Sequence, residues 1–310
     1  MLKYLIILLD DSSVSYCHYD SKRERKLISK EDLKKGVRFA MIENLNVQFV
    51  WPDYELPEDY KEIISSIDHV NIVPVSLTTD ADVIVAEQKE YGLCPQEATV
   101  VAPISLSDIV EKPEILFPLL EKAERLNIVI SDPESFHDSD IEDYRHALSI
   151  LTDKVFDELK SGHDIQVNII TDRMGLTEMN NCNAGWESIT LAPDGNFYIC
   201  PAFYYAKEKP VGSIEQGLYI KNPQLFRLDH SPICRNCDAW QCRRCVWLNK
   251  KYTLEVNTPG HEQCVMAHLE REAARKLREK IKSLSGQLSG EEISELNYLD
   301  PFDKIINNDR

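Results

Sequence analysis

The sequence predicts an α/β chain that opens as a partial barrel or a doubly wound sheet and ends in a small cysteine-rich module and a helix. Three observations carry this expectation. Short β-branched runs alternate with helical patterns as far as residue 171, the mark of repeated βα units. Seven of the nine cysteines fall between residues 182 and 264. An apolar stripe at helical spacing, Val265, Leu269, Ala273, Leu277 and Ile281, follows the last of them.

The expected strands cover residues 3–9, 46–50, 70–75, 82–86, 99–104, 127–131 and 166–171. Between them, SKEDLKKGVRFAMIENL starts a helix at Ser29, with Leu33, Val37, Ala40 and Met41 at helical spacing. DIEDYRHALSILTDKVFDELKSG reads as a long amphipathic helix closing at Gly162. At roughly 30 residues per βαβ unit this makes five or six repeats, a number that suits either an open partial barrel or a doubly wound sheet. Composition changes after Asn180. Residues 181–267 are loop-rich, with turns expected at Pro193-Asp194-Gly195 and Thr258-Pro259-Gly260. The helix VMAHLEREAARKLREKIKS follows, and then a polar tail in which Ser289 and Glu292 are spaced as a capping box. These shifts place domains at 1–177, 178–267 and 268–310.

A net charge of -17 over 310 residues argues against broad binding to nucleic acid or anionic membranes. The apolar start ends in Asp10-Asp11 without a small-residue cleavage site, and no other stretch reaches the ~20 apolar residues of a membrane span. The expectation is a soluble, cytoplasmic protein. In such a chain an odd number of cysteines points to metal rather than to disulfides.

The metal-ligating segments are NCNAGWESITLAPDGNFYICP, SPICRNCDAWQCRRC and HEQC. Cys234-x-x-Cys237 and Cys242-x-x-Cys245 are pairs of the kind whose turn directs two thiolates at one centre. Only four residues separate the pairs, whereas a zinc ribbon places ~15 to 20 between its knuckles. Cys182, Cys200 and Cys264 flank them, and seven thiolates exceed one zinc site. Two 4Fe-4S clusters use all seven, one with four thiolates and one with three plus another ligand; zinc is the alternative.

The order of a cysteine near a glycine, a Pro-Asp-Gly turn with Cys200 five residues after Gly195, a four-cysteine block and a final cysteine resembles the SPASM domain of peptide-modifying radical SAM proteins. Gly212-Ser213-Ile214 is similar to the short glycine turn that follows in that domain. The resemblance implies one auxiliary cluster on Cys182, Cys200 and Cys245 and a second on Cys234, Cys237, Cys242 and Cys264. The block is one residue shorter than the commoner spacing in each of its last two gaps, so an exchange of Cys242 and Cys245 between the sets stays open.

The start, YLIILLDDSSVSYCHYD, looks like a strand followed by the cluster loop of a radical SAM barrel, but with Cys17 as the third position of CxxxCxxC the other two fall on Asp10 and Val14. WPDYELP stands where such barrels carry a GGEP-like turn and has no glycine. A degenerate radical SAM-like barrel with a SPASM-like end resembles the CXXX repeat peptide maturase family. The implied role is auxiliary: an iron-sulfur protein acting on a peptide with a cysteine every four residues, beside a radical SAM partner, with no S-adenosylmethionine (SAM) site of its own. An enzyme with an open iron and a zinc-stapled binding module are the alternatives.

No catalytic residue is assigned. Cys17 reads as a thiol at a strand end, or as part of a mixed site with Asp10 and His18, and Cys94 as an ordinary loop thiol. Glu43 and His69 are lone polar residues in βα units. Arg235, Arg243, Arg244, Lys250 and Lys251 outnumber Asp238 around the four-cysteine block, either as a solvated face or as charges that offset anionic clusters. The basic residues between Arg271 and Lys282 are expected on the wet side of the last helix.

Overall fold

The computed structural model describes residues 2–301 except 22–23, 79–80, 177–179, 228–229, 238, 240–241 and 286–291. The chain forms two compact units, Met1–Ala86 with Cys182–Arg227, and Glu87–Asn181 with Leu228–Arg310.

From the N-terminus the first unit contains β1 (Tyr4–Leu8), α1 (Lys30–Glu43), β2 (Asn46–Val50), α2 (Glu58–Ile64), β3 (His69–Pro74) and β4 (Val83–Val85). Ser29 caps α1 by accepting the Asp32 N–H on its Oγ at 3.0 Å, and Asn44 ends the helix in the left-handed region at φ 53°. β1 pairs in parallel with β2, β2 with β3, and β3 with β4.

The chain then contributes β5 (Thr99–Ile104), α3 (Leu106–Glu111), α4 (Phe117–Leu120), β6 (Arg125–Ile130), α5 (Ile141–Ser161), β7 (Gln166–Val167), α6 (Thr171–Met174) and β8 (Asn180–Asn181) to the second unit. β5, β6 and β7 are parallel neighbours. β7 is shorter than the pattern 166–171 suggests because Thr171 Oγ1 accepts the Val167 N–H at 2.6 Å and the chain turns into α6. Gly162 closes α5 at φ +94°.

Returning to the first unit, β9 (Ser188–Leu191) pairs in parallel with β1 and antiparallel with β10 (Phe197–Tyr198). α7 (Pro201–Tyr205) follows, and β11 (Gly212–Ser213) pairs with β12 (Gly217–Leu218). The strand order here is β10-β9-β1-β2-β3-β4. From Leu5 to Leu8 β1 is buried on both faces, which is why it reads as an unbroken apolar run. Its Leu5 and Ile7 join Val47, Phe49, Leu33, Val37, Tyr60, Ile64, Ile189 and Leu191 in one buried core. α1 lies so close to β9 that a Cβ on Gly36 would stand 2.5 Å from Leu191 Cδ2.

The second unit is completed by β13 (Arg243–Arg244), α8 (Val246–Thr253) and α9 (His261–Ser285). α9 begins four residues before the expected 265, which places Cys264 in its first turn. Its stripe of Val265, Leu269, Ala273 and Leu277 is buried, as are Ala147, Leu148, Leu151 and Val155 of α5. The expectation of a wet basic side fails for Arg271 and Arg278, which are buried. Arg271 Nη2 donates to the Ser294 carbonyl of the tail, and Ile293 and Asp300 are buried with it. The tail covers a face that an isolated amphipathic helix would give to water. Ser289 of the expected capping box lies outside the described residues. Among the described residues no helix is long and apolar enough to cross a membrane.

Candidate metal centres

No disulfide forms among the nine cysteines. In the second unit, Cys234, Cys237, Cys242 and Cys264 line one cavity together with Ala239, Arg244 and His268. Local turns bring them there. A short 3-10 turn spans Cys234–Asn236, with the Cys237 N–H donating to the Cys234 carbonyl at 3.1 Å. The Ala239 N–H donates to Cys237 Sγ at 3.3 Å, and the Cys242 N–H donates to the Ala239 carbonyl at 3.2 Å. Cys264 enters from α9. Three of the four are buried and Cys237 is half-buried.

Burial pushes the Cys242 thiol up to about 12 and the Cys264 thiol higher, with Asp300 and the other cysteines adding to the rise at Cys264. Arg173 and Arg271 oppose it at Cys242, and Arg244 at Cys264. Arg244 is 9% exposed. Its Nη2 donates to Ser231 Oγ at 3.0 Å, while Nε and Nη1 are buried with no hydrogen-bond partner among the described residues. Burial draws the guanidinium down to about 10, with the Cys264 charge opposing. A buried cation with two unmet donors beside four thiols is the environment of an anionic occupant. Four thiolates carry more negative charge than a 4Fe-4S core carries positive, so the donor set and the orphaned guanidinium atoms fit such a cluster. Among the described residues no three His, Cys, Asp or Glu side chains converge as the ligands of a single ion would.

In the first unit, Cys182 precedes β9 and Cys200 directly precedes α7. The Cys200 thiol is pushed up by burial and then by the charges of Cys182 and Cys17. Tyr19, two residues after Cys17, stacks on Tyr205 of α7 with ring centroids 5.0 Å apart, which sets the Cys17 loop against the helix that Cys200 precedes. Cys245, the third residue of the expected set, belongs to the second unit, where it caps α8. Glycines serve the hairpin between the cysteines: Gly195 turns at φ +78° after Asp194, whose carboxylate accepts from Tyr198 Oη at 2.7 Å.

The loop after β1 holds Asp10 fully buried. Its Oδ1 accepts from the Ser12 N–H at 2.8 Å and Ser12 Oγ at 2.7 Å, and its Oδ2 accepts from Tyr54 Oη at 2.9 Å. Tyr54 comes from WPDYELP, so the two degenerate motifs are bonded to one another. With its carboxylate engaged in this way, Asp10 organises the loop. No sequence pattern announces the Tyr54 partner.

His69 is held by the Ile67 carbonyl at 2.8 Å and by Asn71 Nδ2 at 3.1 Å. Glu43 is exposed at the end of α1. Cys94 is buried 4.0 Å from the Glu90 carbonyl. Of the basic patch, Arg244 is buried rather than solvated, and Lys251 pairs with Glu134 at 2.6 Å.

The sequence matches no family model and no curated protein. Solved structures share the fold. Native anSMEcpe with bound AdoMet and Cp18Cys peptide gives a TM-score of 0.63 at 12% identity, covering 91% of this chain and 100% of that one. Hexahistidine-tagged anSMEcpe with bound AdoMet gives 0.61 at 15%, covering 90% and 98%. SuiB of Streptococcus suis bound to precursor peptide SuiA gives 0.50 at 11%, covering 83% and 74%. At these identities the likeness establishes the architecture: an α/β partial barrel of radical SAM type with a cysteine-rich C-terminal part.

Proposed function

We propose that this chain acts in the cytoplasm in the maturation of a small ribosomally made peptide with CXXX repeats. It serves there as an auxiliary iron-sulfur protein that binds the peptide, relays electrons for a radical SAM partner, or both. The observation that carries the reading is the cavity of Cys234, Cys237, Cys242 and Cys264 with the unmet donors of Arg244 beside it. A 4Fe-4S cluster on those four thiolates supplies one-electron transfer when bound. The chain's own residues exclude water from it, since three of the thiols are buried, and Arg244, Arg173 and Arg271 offset its negative charge.

The auxiliary role rests on the loop after β1. A cluster that cleaves SAM leaves one iron open beside three thiolates, and here the first two positions are Asp10, engaged by Ser12 and Tyr54, and Val14. Tyr54 also occupies the motif where a glycine turn would approach the cofactor. Peptide as the substrate class is supported by fold neighbours solved with AdoMet and a Cp18Cys peptide, or with the precursor peptide SuiA. The test is binding of a fluorescent peptide with cysteine at every fourth position. Saturable binding that is lost with the Cys→Ser peptide is expected; equal binding of both peptides, or of neither, overturns the specificity.

A further inference from the structure

We infer that Tyr298 of the C-terminal tail donates a hydrogen bond to the cluster of Cys234, Cys237, Cys242 and Cys264 and raises its potential, an assignment that rests on the iron-sulfur reading above. All the residues concerned lie in the second unit. Residues 292–300 run with neither helix nor strand, yet they are anchored repeatedly. Ile293 is buried, and Arg271 Nη2 donates to the Ser294 carbonyl. Leu296 packs against Ala239, Cys242 and Ala267, and Asp300 Oδ2 stands 2.6 Å from His261 Nδ1. Pro301 then lines the four-cysteine cavity. Ordering an irregular segment costs backbone entropy that such contacts must offset, and here they gather around the cysteines.

Tyr298 sits between these anchors. Its Oη is 3.9 Å from Cys237 Sγ, and its ring meets the His268 ring edge-on with centroids 5.5 Å apart. His268 follows Cys264 on α9 and lines the same cavity, so the ring contact holds the hydroxyl at the cavity wall. The Ala239 N–H reaches the same sulfur at 3.3 Å. Between a thiol and a phenol either group could donate. A sulfur bound to metal has lost its proton, so there the hydroxyl is the donor. Cys237 is also the half-buried member of the four, the sulfur that water would otherwise reach.

The sign of the effect follows from charge. Reduction adds an electron to a cluster that its four thiolates already make anionic. A donor aimed at a ligand sulfur therefore stabilises the reduced form more than the oxidised one and raises the potential. Tyr298 and the Ala239 amide act together on Cys237, and Tyr298 is the side chain of the two. For an electron relay this makes the cluster a better acceptor. Tyr298 is a positioning residue in this sense: it acts on the cluster through the Cys237 sulfur.

The experiment compares full-length wild type, Y298F and Y219F after anaerobic purification; Tyr219 is an exposed tyrosine of the first unit. Y298F keeps the ring against His268 and removes only the hydroxyl. A redox titration followed by electron paramagnetic resonance is expected to show wild-type iron content in Y298F and a lower midpoint for one cluster. At the wild-type midpoint the ratio of reduced to oxidised cluster is expected to fall about threefold or more, as the loss of one hydrogen bond predicts. Y219F is expected to match wild type. Electron-nuclear double resonance of the reduced protein in water and in heavy water is expected to lose one exchangeable proton coupling in Y298F. An unchanged midpoint in Y298F, or couplings that all persist, overturns the assignment while leaving the iron-sulfur reading intact. Loss of iron from Y298F also overturns it, because the hydroxyl then holds the fold rather than tuning the cluster. Wild-type protein without iron overturns the iron-sulfur reading and the assignment with it.

Discussion

At the scale of single residues, the four-cysteine cavity depends on Cys234 and Cys237, which one short turn brings together. Replacing either with Ala is expected to remove about four irons and to unfold the surrounding loops, because bound metal supplies much of the folding energy of small metal-held modules. Full iron content in C234A or C237A, measured chemically, contradicts the ligand set. Arg244 makes a separate prediction. Its buried charge favours the added electron, so R244M is expected to move one cluster's potential negative by roughly 100 mV, the effect of a unit charge several ångströms away at an effective dielectric of ~20. A redox titration followed by electron paramagnetic resonance checks this, and an unchanged potential removes Arg244 from the cluster's surroundings. The spacing of the cysteines was legible because a CxxC turn is local. The burial of Arg244 was not, because CRRC reads equally well as a solvated basic face.

At the scale of elements, α1 and α5 were legible from their ends: Ser29 caps one and Gly162 closes the other in the left-handed region. α9 was legible from its stripe but not from its start. His261 stands at its first position because its ring bridges two acids, Asp138 Oδ1 at 2.9 Å and Asp300 Oδ2 at 2.6 Å. Both partners are distant in sequence. Their hydrogen bonds, that of Asp138 first, raise His261 to about 9 from an unfolded value near 6.5. The protonated ring therefore adds stability in full below about pH 6.5, and the contribution disappears as pH rises through about 9. With the side chain 43% exposed, water screens the pair and the effect is about 1 kcal/mol or less. Urea midpoints at about pH 6 and about pH 10 are expected to differ more in wild type than in H261N. Equal differences show that the bridge adds nothing.

At the scale of the whole molecule, the βα alternation was legible in the sequence because a parallel strand buried on both faces writes a continuous apolar run, as β1 does. The division into two units was hidden, because each unit is made of two separate stretches of chain while composition changes only once, near Asn180. The approach of the Cys17 loop to α7 was hidden for the same reason: β9 joins β1 from the far end of the chain. The chain as a whole is expected not to cleave SAM. Reduced, reconstituted protein should release no 5′-deoxyadenosine by itself, and release by the isolated chain contradicts the auxiliary role.

The central claim is that the cysteines hold iron-sulfur clusters, and metal analysis of protein purified without oxygen tests it most directly. The account predicts brown protein with about eight irons and about eight acid-labile sulfides per chain. Colourless protein carrying about one or two zinc ions in their place contradicts it.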